Sequence, residues 1–246
     1  NLFRSLVQIT FILPIRNEVE TITSTIEAIL NQTIINNVDY EILISDGGST
    51  DGTLRIINDL IHNNSTIYLI HNPGKIVSMG FNIALNEAKG DVIIRIDGHC
   101  LIPPNYLQNC LEILEYQEAD IVGGIIETVS FGYVGEGIAV AQSSWFGVGD
   151  VKFRKIGANN SGYVDSLAFG AHKREVFADI GGYDEEMVNN QDDEFNFRAI
   201  QSGKKIWMDP TIKTKYLSRT NYKTLLKQYY NYGYYKVRGI QKRKNI

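Results

Sequence analysis

Short apolar runs alternate with amphipathic stretches along the first half of the chain. The apolar runs have the length and composition of buried strands and fall at 8–14, 40–45, 66–71, 92–96 and 120–125. Between them, apolar residues recur every three or four positions and predict helices at 18–30, 54–61, 78–88 and 104–117. This strand–helix order predicts an α/β fold with a doubly wound, mostly parallel sheet flanked by helices.

The second half of the chain has a less regular pattern. It predicts two short helices, each followed by glycine, and an amphipathic helix at 222–236. There is no internal repeat and no low-complexity linker. The sequence therefore predicts one domain at 1–210, with halves at about 8–125 and 126–210, followed by an extension at 211–246.

Polar side chains cluster where the predicted strands end. Four groups of them follow successive strands, at 16–18, 46–51, 72–75 and 97–99. In open α/β sheets, ligands bind beyond the carboxyl ends of the strands. The positions of these residues therefore predict a binding site at that edge.

The segment Asp97-Gly98-His99 follows the predicted strand at 92–96. Residues two apart on a strand point the same way, so Asp97 and His99 could face one cation. A carboxylate with an imidazole suits Mn²⁺, and a carboxylate alone suits Mg²⁺. Because an Asp-Gly pair after a strand is also a common turn, both interpretations stay open.

The loop Asp46–Thr53 (DGGSTDGT) contains three glycines, which let a backbone approach a ligand closely. Asp46 can accept a hydrogen bond from a base or a ribose, and Thr50 or Asp51 can cap the helix that follows. The loop lacks the spacing of a Walker loop, and no G-x-G-x-x-G follows the first strand. A dinucleotide-dependent dehydrogenase is therefore disfavoured.

The net charge of −4 conceals an uneven distribution. Residues 211–246 hold ten Lys or Arg, seven of the fourteen Tyr and no acid, which leaves 14 basic and 28 acidic side chains elsewhere. Such a tail suits a negatively charged partner, and an anionic membrane, a nucleic acid and a solvated helix face remain open.

Two cysteines, Cys100 and Cys110, are too few for a disulfide framework and fit a reducing cytoplasm. No apolar run reaches about 18 residues, so the sequence predicts no transmembrane helix within these residues. Because it starts at Asn1 rather than Met, we expect the sequence to be part of a longer chain.

The order and spacing of Pro14–Glu18 (PIRNE), the Asp46 loop and Asp97-Gly98-His99 resemble glycosyltransferase family 2 enzymes with the GT-A fold. The resemblance covers about residues 8–203 through later segments: Phe169-Gly170, Gly181–Asp184 (GGYD) and 191–198 (QDDEFNFR). The Asp-Gly-His form is similar to that of bacterial exopolysaccharide glucosyltransferases of the succinoglycan type. The resemblance implies an inverting, metal-dependent hexosyltransferase that moves a sugar from a UDP-hexose to a glycan or lipid-linked acceptor in polysaccharide synthesis.

The resemblance also implies a role for each matching residue. Asp97 and His99 would hold Mn²⁺ or Mg²⁺, with His99 in the place of the second acid of the usual D-x-D motif. The first half would be a Rossmann-like nucleotide-binding half and the second an acceptor half, with His172 and Asp193 as acceptor-site candidates. Asp46 would bond the uracil, within a donor-binding set of Pro14, Arg16, Glu18, Asp46, Lys75, Asp97 and Gly98.

Asp192 lies where the family places its catalytic base, which takes the proton of the attacking hydroxyl. Gln191 replaces the first acid of the family's E-D pair, so Asp193 and Glu194 stay open as alternatives. Acids in the first turn of a helix are also favoured by its dipole, which needs no catalytic role.

Two other functions remain as alternatives. A nucleotidyltransferase also uses an α/β sheet and acidic ligands, but it usually has a Gly-rich basic loop where this chain has Ile15–Glu18. A non-catalytic nucleic-acid-binding module would use the basic tail and leaves Asp97 and Asp192 unexplained. We therefore expect no nucleic-acid partner, a peripheral membrane contact through 211–246, and a place at the cytoplasmic, inner face of the cell membrane.

Overall fold

The computed structural model describes residues 7–33, 38–130, 132–143, 160–218 and 222–243. Its strands are β1 (Val7–Ile15), β2 (Val38–Asp46), β3 (Ile67–His71), β4 (Val92–Arg95), β5 (Cys100–Leu101), β6 (Ile121–Val129), β7 (Gly162–Tyr163), β8 (Gly170–Lys173) and β9 (Ile206–Leu217). Its helices are α1 (Ile22–Leu30), α2 (Thr53–Asn63), α3 (Val77–Glu87), α4 (Tyr106–Tyr116), α5 (Gly132–Ser143), α6 (Arg174–Ile180), α7 (Gln191–Gln201) and α8 (Tyr222–Arg243).

One sheet joins the strands of the described residues in the order β3-β2-β1-β4-β8-β6-β9-β5, with β7 paired to β9. β3, β2, β1 and β4 are parallel, so their carboxyl ends meet at one edge. β8 runs antiparallel to β4 and to β6, whereas β9 runs parallel to β6. The predicted α/β fold is confirmed, and its second half is mixed because β8 enters the sheet in the opposite direction.

The central strands are buried on both faces of the sheet. Phe11 and Ile12 are neighbours on β1, point to opposite faces and are both fully buried. Burying a side chain of this size contributes about 2 kcal/mol, so the apolar strands supply much of the stability. β4 is buried along its whole length, and it ends in a charged residue, Arg95.

The last strand continues past the predicted domain boundary at residue 210. β9 runs from Ile206 to Leu217 and pairs with β5, β6 and β7, so residues 211–217 belong to the sheet. The extension therefore begins after Leu217 and consists largely of α8, a helix of 22 residues. Among the helices described, none combines the length and the apolar character needed to cross a membrane.

Candidate active site

Hydrogen bonds tie the loop after β1 to the loop after β2. The Asn17 N–H donates to Ser49 Oγ at 2.8 Å, and the Thr50 N–H donates to Asn17 Oδ1 at 2.8 Å. The Glu18 N–H donates to Thr53 Oγ1 at 2.9 Å. Asn17 has a left-handed backbone with φ of 57°, which Asn tolerates better than most residues. The structure therefore brings these two loops together, as the sequence predicted.

Asp46 ends β2 and holds the glycine-rich loop in shape. Its carboxylate accepts hydrogen bonds from the N–H groups of Gly48 and Ser49 and from Ser49 Oγ. The residue is only 4% exposed. Its predicted hydrogen bond to a uracil would therefore have to use carboxylate lone pairs that are not already bonded to the loop.

Lys75 follows β3 and lies against the glycine-rich loop. A side-chain carbon added to Gly47 would lie 3.2 Å from Lys75 Cα and 3.5 Å from Arg16 Cβ, so the small residue permits a close approach. Lys75 and Arg16 are exposed, whereas Pro14 is buried within β1. Two exposed cations thus lie beside the loop, where a donor diphosphate is expected.

The segment Asp97–His99 forms a turn and not the end of a strand. β4 ends at Arg95, and the Cys100 N–H donates to the Asp97 carbonyl at 3.0 Å. Strand alternation does not apply here, so the prediction that both ligand candidates face the same way for that reason is wrong. A side-chain carbon on Gly98 would lie 2.8 Å from the Glu18 side chain, so only glycine lets this turn pack against the first loop.

Glu18 pairs with the imidazole of His99. Glu18 Oε1 lies 2.9 Å from His99 Nδ1, and both side chains are largely buried. This contact orients the ring and leaves Nε2 for another partner, as a carboxylate does for a metal-binding histidine. Tyr216 packs edge-on against the imidazole, with 4.9 Å between ring centroids. Glu18, expected to line a nucleoside pocket, thus also orients His99.

Asp97 and His99 offer the donor chemistry of a two-ligand metal site. Arg95 occupies one lone pair on each Asp97 oxygen, each oxygen has a second one, and His99 can present Nε2. In the described parts of the chain, no three His, Cys, Asp or Glu side chains form a metal-binding group. A divalent ion here would therefore need phosphate or water oxygens to complete its coordination.

Arg95, which was not among the predicted site residues, is a buried cation. Its side chain is 5% exposed, and its fork binds Asp97 with Nε–Oδ1 at 2.9 Å and Nη2–Oδ2 at 3.1 Å. The guanidinium carbon lies 5.6 Å from the ring centroid of Phe169 and 5.5 Å from that of Tyr183. The sequence signal that could have identified Arg95 is its single charge within the apolar run at 92–96, because arginine is rarely buried without a partner.

The electrostatic surroundings of Arg95 extend to Asp192. Burial lowers the pKa of Arg95, but Asp97, and then Tyr183 and Asp192, raise this pKa above its usual value. The guanidinium therefore keeps its charge at any physiological pH. The buried cation thus holds the carboxylate that is predicted to bind the metal.

Tyr183 is held in place from two sides. Asn82 Nδ2 donates to the Tyr183 carbonyl at 2.8 Å, and the Tyr183 N–H donates to Asn82 Oδ1 at 2.8 Å. Arg198 donates to the Gly182 carbonyl at 2.7 Å. A side-chain carbon on Gly182 would lie 2.3 Å from Asn82 Oδ1, so this position needs glycine. These contacts hold the backbone of Tyr183, and its ring lies over Arg95.

The three candidate bases, Asp192, Asp193 and Glu194, lie in the first turn of α7. The residue that precedes this helix, Asn190, has φ of 58°. Asp193 pairs with Lys236 of α8 at 2.8 Å, and the buried Glu194 pairs with Arg198 at 2.6 Å. Asp192 Oδ1 accepts a hydrogen bond from the Asp193 N–H at 3.0 Å. Each neighbour thus binds a basic side chain of the surrounding structure, and the assignment of the base to Asp192 stays a prediction.

His172 lies in the core and not at the predicted acceptor site. It is 5% exposed, and its ring centroid lies 5.4 Å from that of Phe177 and 5.7 Å from that of Phe195. β8 carries it between β4 and β6, opposite Ile93 and Ile121. This enclosure among aromatic rings argues against the predicted contact of His172 with the acceptor.

The same enclosure predicts a pH dependence of stability. Burial lowers the pKa of His172 from 6.5 to about 4. As the pH falls, His172 therefore takes up a proton in the unfolded chain before it does so in the folded chain. The stability that is present above pH 6.5 is lost as the pH falls towards 4. Between pH 7 and 5, we expect the unfolding free energy to fall by about 2 kcal/mol more in the wild type than in His172→Leu. Urea denaturation at several pH values measures this, and equal slopes for both proteins would contradict it.

Comparisons with known proteins point to one family. The model of the family described as "Glycosyl transferase family 2" matches residues 10–173. The "Succinoglycan biosynthesis protein ExoA" of Rhizobium meliloti (strain 1021) is 32% identical over 228 residues, which are 90% of this chain and 67% of that protein. The "Dolichyl N-acetyl-alpha-D-glucosaminyl phosphate 3-beta-D-2,3-diacetamido-2,3-dideoxy-beta-D-glucuronosyltransferase" of Methanococcus voltae is 30% identical over 244 residues, which are 96% of this chain and 74% of that protein.

Crystal structures of S. aureus TarS have a similar fold. The complex of TarS 1-349 with UDP matches 86% of this chain with a TM-score of 0.66 and 17% identity. The complex with UDP-GlcNAc matches 87% of this chain with a TM-score of 0.65 and 18% identity. This chain covers 60% of the length of each of these two structures.

Proposed function

Since the chain belongs to glycosyl transferase family 2 and is a glycosyltransferase with the GT-A fold, we propose that it moves a hexose from a UDP-hexose to a glycan or lipid-linked acceptor with inversion. The observation that carries this proposal is the turn at Asp97–His99, where Arg95 binds the carboxylate of Asp97 and Glu18 orients the imidazole of His99. The UDP complexes of TarS support a uridine donor, and the names of the relatives support a glycan acceptor. Because the chain belongs to a glycosyltransferase family, the nucleotidyltransferase alternative is excluded.

In the proposed reaction, the acceptor hydroxyl attacks the anomeric carbon on the face opposite the UDP leaving group. The new carbon–oxygen bond forms while the bond from that carbon to the diphosphate oxygen breaks, so the configuration inverts. Asp192 accepts the hydroxyl proton, and UDP leaves with the bonding electron pair. Lys75 and Arg16 lie beside the glycine-rich loop, where their charges would offset that of the departing diphosphate.

The proposal includes a divalent metal, Mn²⁺ or Mg²⁺, held by Asp97 and His99. When bound, this ion supplies positive charge to the leaving diphosphate. The orienting contacts support this assignment, because Glu18 holds the ring of His99 and Arg95 holds the carboxylate of Asp97. We assign donor binding to the half at about 8–125 and acceptor binding to the half that follows.

Calorimetric titration of UDP, GDP, CDP and ADP tests the donor assignment. Each nucleotide is titrated into the wild type with Mn²⁺ and again with EDTA. We expect UDP to bind most tightly and to lose about tenfold or more in affinity when the metal is removed. Tighter binding of another nucleotide would overturn the uridine donor. No nucleotide binding in the presence of metal would overturn the donor site.

We also propose that α8 lies on an anionic membrane surface. Exposed apolar and aromatic side chains recur along it at helical spacing: Tyr222, Leu226, Tyr229, Tyr230, Tyr234, Val237 and Ile240. The helix has six Lys or Arg and no acid, and Lys223, Lys227 and Arg238 are exposed. An apolar stripe beside basic residues suits lipid acyl chains and anionic headgroups, at the inner face of the membrane where lipid-linked acceptors are expected.

Sedimentation with vesicles of phosphatidylcholine and phosphatidylglycerol in equal parts tests this contact. The triple change Lys223→Gln, Lys227→Gln and Arg238→Gln should weaken binding about a hundredfold. The matched control, Arg55→Gln, Lys89→Gln and Lys205→Gln, removes the same charge from exposed positions elsewhere and should leave binding unchanged. Equal losses in the two variants, or equal binding to pure phosphatidylcholine, would rule out the proposed surface.

A further inference from the structure

Arg95 is enclosed in a way that prevents direct contact with a substrate. Phe169 and Tyr183 lie against the guanidinium, and the Nε–Nη2 edge binds Asp97. With its side chain 5% exposed, Arg95 can influence the reaction only through the residues it touches.

The candidate site residue among them is Asp97. A planar guanidinium that binds both carboxylate oxygens fixes the orientation of the carboxylate as well as its charge. A lysine ammonium at the same place would supply the charge without the fork. The donor side of the site therefore depends on the shape of Arg95, and not only on its charge.

The backbone at Phe169 and Gly170 adopts unusual angles where the Phe169 ring packs against Arg95. Phe169 has φ of 62° and Gly170 has φ of 144°, and a side-chain carbon on Gly170 would lie 2.4 Å from the Val122 carbonyl oxygen. A left-handed backbone is costly for a bulky residue such as Phe, so the surrounding structure must stabilise it. On the other face, Asn82 fixes Tyr183 through two hydrogen bonds.

We propose that Arg95 is a positioning residue whose fork orients the carboxylate of Asp97 for the donor. This inference rests on the proposed function. It assigns a role to a residue that touches neither donor nor acceptor, and it explains why a buried charge ends an apolar strand.

Steady-state kinetics of Arg95→Lys and Arg95→Met test whether donor binding requires the fork of Arg95. The readout is the release of UDP from the member of a panel that the wild type turns over fastest: UDP-glucose, UDP-galactose or UDP-N-acetylglucosamine. Because lysine keeps the charge but not the fork, Arg95→Lys should raise the donor KM about tenfold and keep kcat within about threefold. Because methionine keeps neither, Arg95→Met should raise the donor KM at least as much.

Arg174→Lys is the matched control. Arg174 binds the backbone carbonyls of Ala88 and Gly90 and touches none of the candidate site residues, so its replacement should leave both constants unchanged for the folded protein. Rates are corrected for the folded fraction measured by circular dichroism. If both Arg95 variants match Arg174→Lys, Arg95 is merely structural and the inference is overturned. A wild type that turns over no member of the panel would overturn the proposed function itself.

Discussion

We expect Asp192→Asn to lower kcat for sugar transfer about a thousandfold while UDP affinity stays within about twofold of the wild type. The amide keeps the size and hydrogen-bonding shape of the side chain but cannot take the proton of the attacking hydroxyl. Binding of UDP precedes that step and needs no base. The measurements are the rate of UDP release at saturating donor and calorimetric titration of UDP with Mn²⁺.

Asp193→Asn tests the alternative base in the same turn of the helix. This change removes one negative charge from the same turn of α7. Asp193 pairs with Lys236 of α8. We expect kcat to change by less than about threefold, because an exposed ion pair contributes little. If Asp193→Asn loses as much activity as Asp192→Asn, Asp192 is not the single base. A fall in UDP affinity as large as the fall in rate would assign Asp192 a structural role.

A second large effect is expected from Asp97→Ala, which should lower the free energy of unfolding by about 3 kcal/mol. Its carboxylate is the fork partner of Arg95, and removing it leaves a buried guanidinium with weaker compensation. Asp97→Ala therefore changes more than a metal ligand. Urea denaturation monitored by circular dichroism measures the loss.

The double variant Arg95→Met, Asp97→Ala completes a thermodynamic cycle. Removing both partners relieves the unpaired charge, so the double variant should be more stable than Asp97→Ala alone. A double variant as unstable as the sum of the two single ones would show that the pair has no coupling energy. For nucleotide binding, Asp97→Asn is the better variant, because its amide oxygen can still accept a hydrogen bond from Arg95.

The recognition of the candidate site from sequence depended on local signals. Strand ends are readable from apolar runs, and parallel strands place their carboxyl ends at one edge. The residues after β1 and β2 could therefore be grouped from the order of the chain alone, and hydrogen bonds between Asn17, Ser49 and Thr50 join them. Glycines at 47 and 98 marked close approaches of the backbone, which the packing against Lys75 and Glu18 explains.

These local signals could not predict contacts between residues that are far apart in the sequence. His172 follows Phe169-Gly170-Ala171, and nothing local distinguishes a cleft histidine from one enclosed by Phe177 and Phe195. The pairing of Glu18 with His99 joins residues 81 positions apart. Apolar periodicity reports which face of an element is buried, but it does not report which other element covers that face.

The sequence by itself determined the α/β class, the family and the edge of the sheet where the site lies, because hydrophobic period and short motifs are local properties of the chain. Only the tertiary structure decided that Asp97 lies in a turn, that His172 belongs to the core and that β9 extends the sheet beyond residue 210. It also placed Arg95 against Asp97, between Phe169 and Tyr183. The physical reason is that burial and charge pairing depend on which distant segments the fold brings into contact.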